Sequence, residues 1–243
     1  MYIIKLDAID STNSYLKELT SVATPKDYTV VVAEKQTDGR GQMGTLWFSE
    51  TGKNLTVSVF KKLEDFKIGD QFYISMVVSL AICKALNAFK IPKLSIKWPN
   101  DILSANQKIC GILIENVIKN NQCKGSIIGF GLNINQKFFD GIPNASSMGL
   151  LTGVIYDRDE VMSKILEELQ FFFRLLEAKN YQELKTQYER LLFRKEKPST
   201  FKDTDGHIFS GIIKGVTTSG KLNVWTEDER INVFDLKEIT MLY

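Results

Sequence analysis

Between Asp70 and Phe89 the chain is apolar nearly all the way round, which makes this segment a buried helix rather than an amphipathic surface one. A helix with no face to give to water must be enclosed by the rest of the chain, and the segments around it read mostly as strands. Residues 2 to 6, Tyr28 to Lys35, Asn54 to Phe60 (Leu55, Val57 and Val59 alternating), Leu94 to Trp98, Ile109 to Ile118 and Ser126 to Asn133 carry that pattern. Asp10-Ser11-Thr12-Asn13 supplies N-cap chemistry for a helix bearing Tyr15, Leu16 and Leu19, and Ser104-Ala-Asn-Gln is a turn signal. Two more helices are predicted over roughly Asp159 to Lys179, with Asp159 as N-cap, and Tyr181 to Phe193.

This is a mixed α+β order: a mixed β-sheet packed with helices over 1–195. After Arg194-Lys-Glu-Lys-Pro198 short β runs are split by Asp203-Thr-Asp-Gly206, Ser219-Gly220 and Glu227-Asp-Glu229, which predicts a small C-terminal β-barrel of Src-homology-3 type over 196–243. With 243 residues, 44% of them hydrophobic, the chain can bury one large core and a small second one.

Lys plus Arg number 31 against 29 for Asp plus Glu, so there is no broad field for gripping a nucleic acid. Cys83, Cys110 and Cys123 lie in or beside apolar segments without metal-ligand spacing, as reduced buried thiols do, and this points to the cytoplasm. The start lacks the apolar run of a signal peptide. Met76 to Phe89, interrupted by Ser79, Lys84 and Asn87, is too short to span a bilayer, so no membrane insertion is expected.

Four segments carry chemistry: Glu34-Lys-Gln-Thr-Asp-Gly-Arg-Gly-Gln-Met-Gly44, Lys97-Trp-Pro-Asn-Asp101, Lys108-Ile-Cys-Gly-Ile-Leu-Ile-Glu115 and Gly129-Phe-Gly-Leu-Asn-Ile-Asn135. Glycines 39, 41 and 44 free backbone N–H groups for an anion, and Arg40 adds a charged fork; taken alone the segment is equally a hairpin loop. Asn100 and Asp101 sit at a strand's mouth, where oxygen ligands suit Mg²⁺ beside a triphosphate, though an Asn-Asp turn is common there. Lys108 is either a solvated strand-end charge or an ammonium aimed into a cleft. Alternation puts Gly129, Gly131, Asn133 and Asn135 on one strand face, open enough for a flat ligand. No P-loop lysine or dinucleotide fingerprint is present.

In this order and at these spacings, GRGxxG, KWPND, KxxGIL and GxGxNxN resemble the biotin protein ligase family, strongly over about residues 2 to 135. The resemblance implies a monofunctional form without an N-terminal DNA-binding domain. It implies that the biotin carboxylate attacks the α-phosphate of ATP and that the biotinyl-adenylate then passes biotin to a lysine of a biotin carboxyl carrier protein. By the same resemblance Arg40, Lys97, Asp101 and Lys108 are catalytic. Ser11, Thr12, Asn13, Gln36, Gly39, Arg40, Lys108 and Gly111 contact biotin, while Arg40, Trp47, Asn100 and Asn133 contact ATP. Asp101 is the candidate Mg²⁺ ligand, biotin and ATP are substrates, and no tightly bound prosthetic group is implied; a homodimer is compatible with the resemblance. His207, the only histidine, reads as a surface turn residue, so neither it nor the cysteines support a nucleophilic mechanism.

The loop departs from some relatives, which carry arginine at the positions of Gln42, Met43 and Thr45; only Arg40 is charged here. The segment Gly39 to Gly52 is therefore expected to be mobile without ligand and to close by apolar contact of Met43, Leu46 and Trp47. Two other readings compete: a lipoate or octanoate ligase or transferase of similar fold, and a non-catalytic ligand-binding protein.

Overall fold

In a computed structural model, which describes residues 1–119 and 122–242 but not the side chains of Met43 and Asp65, seven strands form one mixed sheet. They are β1 (Tyr2–Ile9), β2 (Thr29–Gln36), β3 (Leu55–Phe66), β4 (Leu94–Lys97), β5 (Asp101–Ser104), β6 (Gln107–Lys119) and β7 (Gln122–Leu132). The order across the sheet is β1-β2-β3-β7-β6-β5-β4; β1 and β2 run parallel and every other pair antiparallel.

The period-two alternation sorts the side chains between two unlike faces. Val30, Val32, Leu55, Val57, Val59, Ile112, Ile128 and Phe130 point into the main core, where α2 (Phe72–Ala88) and α4 (Arg158–Glu177) pack against them. Val31, Phe60 and Ile127, one residue out of phase, meet Leu16 of α1 (Thr12–Val22) in a smaller core on the other side. The rest of that second face is small or polar, and the cavity described below opens there. The helical segment Ile68–Ala88 is long and apolar enough to cross a membrane by composition, more so than residues 76–89 suggest alone, but most of it is buried in the protein's own core.

Several local expectations are corrected. β5 was not predicted: after the Asn-Asp pair the chain pairs Asp101 with both Lys97 and Gly111, a register set by neighbours rather than by intrinsic strand preference. α4 begins at Arg158 and its N-cap is Asp157, whose carboxylate accepts from the N–H groups of Asp159 (2.8 Å) and Glu160 (3.1 Å); Asp159 lies in the first turn instead. α5 (Tyr181–Arg190) stops short of Phe193 because Leu191 and Phe193 exchange backbone hydrogen bonds with Ile96 of β4. A short α3 (Met148–Thr152) between Ser147 and left-handed Gly153 also escaped prediction.

The small β domain expected at the C-terminal end is a five-stranded antiparallel sheet. Its strands are β8 (Pro198–Asp203), β9 (Ile208–Val216), β10 (Leu222–Thr226), β11 (Ile231–Phe234) and β12 (Ile239–Leu242), in the order β11-β10-β9-β8-β12. Phe201, Ile213, Val216 and Leu222 continue the main core into it. Just after β4, the indole N–H of Trp98 donates to the carbonyl of Gly220, before β10, at 2.8 Å.

Candidate functional site

The floor of the site follows from strand register. β7 lies between β3 and β6, so Gly129 stands beside Ser58 and Leu113, and Gly131 beside Thr56 and Gly111. Four of these six residues carry little or no side chain, which leaves a cavity of about 310 Å³ on the face away from α2. Other residues use the clearance. A Cβ on Gly131 would come within 2.6 Å of Trp47 Cζ2, one on Gly111 within 3.0 Å of Trp47 Cζ3, and one on Gly129 within 2.9 Å of Asn13 Cγ. The indole of Trp47 therefore lies on bare backbone, as does the amide of Asn13.

One end of the cavity is a chain of neutral hydrogen-bonding groups at the start of α1. Ser11 is the N-cap, and Gln36 Oε1 accepts from both the backbone N–H (2.8 Å) and the hydroxyl (3.0 Å) of Thr12. The buried Ser58 hydroxyl lies 2.7 Å from Thr12 Oγ1 and donates to Asn13 Oδ1 at 2.6 Å. Asn13 Nδ2 then donates to Glu115 Oε2 at 2.9 Å.

Two cations join the lining, Lys108 near Gly111 and Arg40 near Asn13. Lys108 Nζ meets Asp101 Oδ1 at 2.7 Å and stands 5.7 Å from the Trp47 ring. Arg40 enters from the glycine-rich loop with one terminal nitrogen 3.1 Å from Glu115 Oε2. Among the described residues, Arg40 Nε and Trp47 Nε1 are screened from solvent yet have no hydrogen-bond acceptor. An unpaired buried donor costs about 1–3 kcal/mol, so two of them beside one cavity favour a ligand that brings acceptor atoms. The Asn100 side-chain amide is committed to the Ile112 carbonyl at 2.9 Å, while Asp101 is the sole carboxylate among the described lining residues.

The loop itself is a small hairpin: Gly41 donates to the Thr45 carbonyl and Trp47 to the Gly39 carbonyl, each at 2.7 Å, around a 3₁₀ turn at Gln42–Gly44. Gln42, Thr45, Leu46 and Trp47 line the cavity; the Met43 side chain lies outside the described residues.

Of the residues singled out in the sequence, Ser11, Thr12, Asn13, Gln36, Arg40, Trp47, Asn100, Asp101, Lys108 and Gly111 come together around the cavity. Gly39, Lys97 and Asn133 are not in its lining. Gly39 lies just behind, its Cβ position closed off by Trp47 backbone and Gln36. Lys97 borders a neighbouring cavity of about 240 Å³ against the second sheet, together with Gln42 and Trp98. β7 ends at Leu132, so Asn133 and Asn135 are not on its face as expected. Asn133 donates to the Ser146 carbonyl, and Asn135 exchanges two hydrogen bonds with the Tyr156 backbone, bracing the segment that follows. Sequence reasoning assigned no role to Ser58 or Glu115. Period two would have flagged both, since Ser58 is out of phase with Leu55, Val57 and Val59, and Glu115 is in phase with Gly111 and Leu113.

No thiol is poised to react. Burial pushes the Cys83 thiol up to about 12 and that of Cys110, next to the cavity wall, well above its ordinary value. His207 is exposed in the turn between β8 and β9, against Asp203.

Residues 6–133 match the model of the biotin/lipoate A/B protein ligase family. The bifunctional ligase/repressor BirA of Escherichia coli (strain K12) is 30% identical over 221 residues, covering 89% of this chain and 67% of that protein. A biotin–[acetyl-CoA-carboxylase] ligase of Mycobacterium tuberculosis is 30% identical over 163 residues, 66% of this chain and 59% of that one. Among solved structures, a biotin protein ligase from Aquifex aeolicus in complex with biotin and ATP is similar with a TM-score of 0.83 at 26% identity, over 99% of this chain and 98% of that one.

Proposed function

The chain belongs to the biotin/lipoate A/B protein ligase family, and from that premise we propose that the protein is a biotin ligase whose glycine-floored cavity joins biotin to ATP and hands the product to a carrier lysine. The observation that carries the reading is a cavity with unlike ends: neutral donors and acceptors at the start of α1, Lys108 with Asp101 beside Gly111, and between them a glycine floor flanked by the apolar side chains of Leu46, Trp47 and Leu113, with Arg40 entering from the loop. Biotin has the matching form, with a ureido ring at one end, a carboxylate at the other and an apolar chain between.

In the first step a carboxylate oxygen attacks the α-phosphorus of ATP, the bond to the bridging oxygen breaks, and pyrophosphate leaves. Two anions must approach, so the protein's contribution is fixed positive charge where negative charge accumulates. Lys108 faces the carboxylate and Arg40 the phosphates. Trp47 offers a flat ring and an unsatisfied N–H beside the nucleotide. In the second step the neutral amine of the carrier lysine attacks the acyl carbon, AMP leaves, and the amine loses a proton. No protein nucleophile takes part, in keeping with the buried thiols.

Magnesium accompanies ATP as part of the substrate. Asp101 suits it as the protein ligand, since Mg²⁺ takes few protein oxygens and fills its shell with phosphate and water; it would supply charge neutralisation. Arg40, Asp101 and Lys108 are thus the catalytic set we assign. Residues 1–195 form the catalytic domain and 196–243 the small β domain. The unpaired, buried state of all three cysteines supports a cytoplasmic setting.

The test is to incubate the protein with ATP, Mg²⁺, a biotin carboxyl carrier domain and either biotin or lipoate, and to weigh the carrier. One biotinyl group per carrier with AMP and pyrophosphate released is the expected result; lipoyl mass without biotinyl mass overturns the reading.

A further inference from the structure

Among the described residues Glu115 is the acidic side chain that links Asn13 to Arg40, and none of the chemistry above uses it. A single oxygen, Oε2, accepts from Asn13 Nδ2 at 2.9 Å and from an Arg40 terminal nitrogen at 3.1 Å, while Oε1 lies 3.8 Å from Lys17 Nζ. Through Asn13 and Ser58 it continues the chain that starts at Gln36 and Thr12. The sheet is shaped to admit this chain, since Gly129 leaves the space that Asn13 occupies.

The geometry points to Glu115 as a positioning residue for Arg40, an inference that rests on the biotin-ligase reading. Arg40 is the only cation in a loop of glycines, and a long side chain on such a loop has many rotamers to lose before it can meet an anion. Glu115 takes one terminal nitrogen of the guanidinium. The Nε–H is thereby left screened from solvent and without an acceptor at the cavity, on the edge of the fork that a phosphate would use. Because the same carboxylate oxygen holds Asn13, the arginine is registered against the residues that receive the ring and not merely against its own loop.

The experiment compares wild type, Glu115→Gln, Arg40→Gln and the double variant by pyrophosphate release with biotin and Mg-ATP, alongside calorimetric titration of biotin alone. The Gln side chain keeps an acceptor for Asn13, so the biotin Kd is expected to move less than about threefold while the KM for ATP rises about tenfold through misplacement of Arg40. Because both substitutions disable one device, the double variant should be no worse than Arg40→Gln alone. Glu115→Asp, which keeps the charge on a shorter stem, should recover part of the ATP KM, and it carries the comparison if the Gln variant fails to fold. Losses that multiply in the double variant, or a weakened biotin Kd with unchanged KM for ATP, overturn the role. A wild-type protein that releases no pyrophosphate with biotin would instead overturn the ligase reading and this inference together.

Discussion

Replacing Lys108 with alanine separates chemistry from stability more cleanly than any other change in the site. The ammonium lies 2.7 Å from Asp101 Oδ1, with the lysine side chain 36% and the carboxylate 16% exposed. A pair so open to water contributes about 1 kcal/mol at most, which in a chain of this length lowers the melting point by about 2–4 °C. The catalytic loss is larger. Removing one preorganised charge from a site where two anions are driven together costs about 10²–10³ in rate, or about 2.7–4 kcal/mol of transition-state stabilisation. Lys108→Met keeps most of the apolar stem beside Gly111 and should lose the same activity with still less effect on melting. The assay is pyrophosphate release at saturating biotin and Mg-ATP, paired with a thermal melt of each variant. Wild-type release with an unchanged melt would make Lys108 a bystander. A drop beyond about 10 °C would show that the pair holds the fold, against the small value expected for so exposed a contact.

Other outcomes follow from the same geometry. Gly131→Ala puts a methyl group within 2.6 Å of Trp47 Cζ2, so the indole must leave the floor; the KM for ATP should rise at least about tenfold, with a shift in tryptophan emission as the check. Lys61, only 5% exposed, is held by Asp27 at 2.7 Å and Glu177 at 3.1 Å far from the cavity. Lys61→Ala should cost about 2 kcal/mol, discounted from the fully buried case because both carboxylates are partly solvated, and lower the melt by about 4–8 °C without altering turnover. Amide exchange over residues 39–52 should slow further when biotin and ATP are added, and equally at high salt. Full protection before ligand, or protection lost at high salt, would refute closure by apolar contact.

What the sequence disclosed and what it withheld divide along the range of the interactions. The alternation at Leu55, Val57 and Val59 and the all-round apolarity of residues 70–89 are local patterns, and both led to the observed sheet and its buried helix. Gly129 and Gly131 were legible as a cleared strand face, yet the same alternation failed at Asn133 because nothing local marks the end of pairing at Leu132. The alternation marks the faces of Ser58 and Glu115 but not that they meet. Their roles depend on β7 lying between β3 and β6, which brings residues 13, 58 and 115 together from three distant parts of the chain. Lys97 shows how finely a contiguous segment can divide: Asn100 and Asp101 line the cavity, while Lys97 borders the neighbouring one against the second sheet.

The bare patch of sheet beneath Trp47 has one further consequence. Where main chain itself forms the wall, the contour is written in backbone torsions held by hydrogen bonds to two neighbouring strands, and no rotamer hop can blur it. Random substitution there can only narrow the space, never enlarge it, because glycine has nothing left to remove. A lineage drifting toward a bulkier acid would have to find the extra room in the lid, by trimming Trp47 or lengthening the turn around Gln42, while the floor stayed as it is.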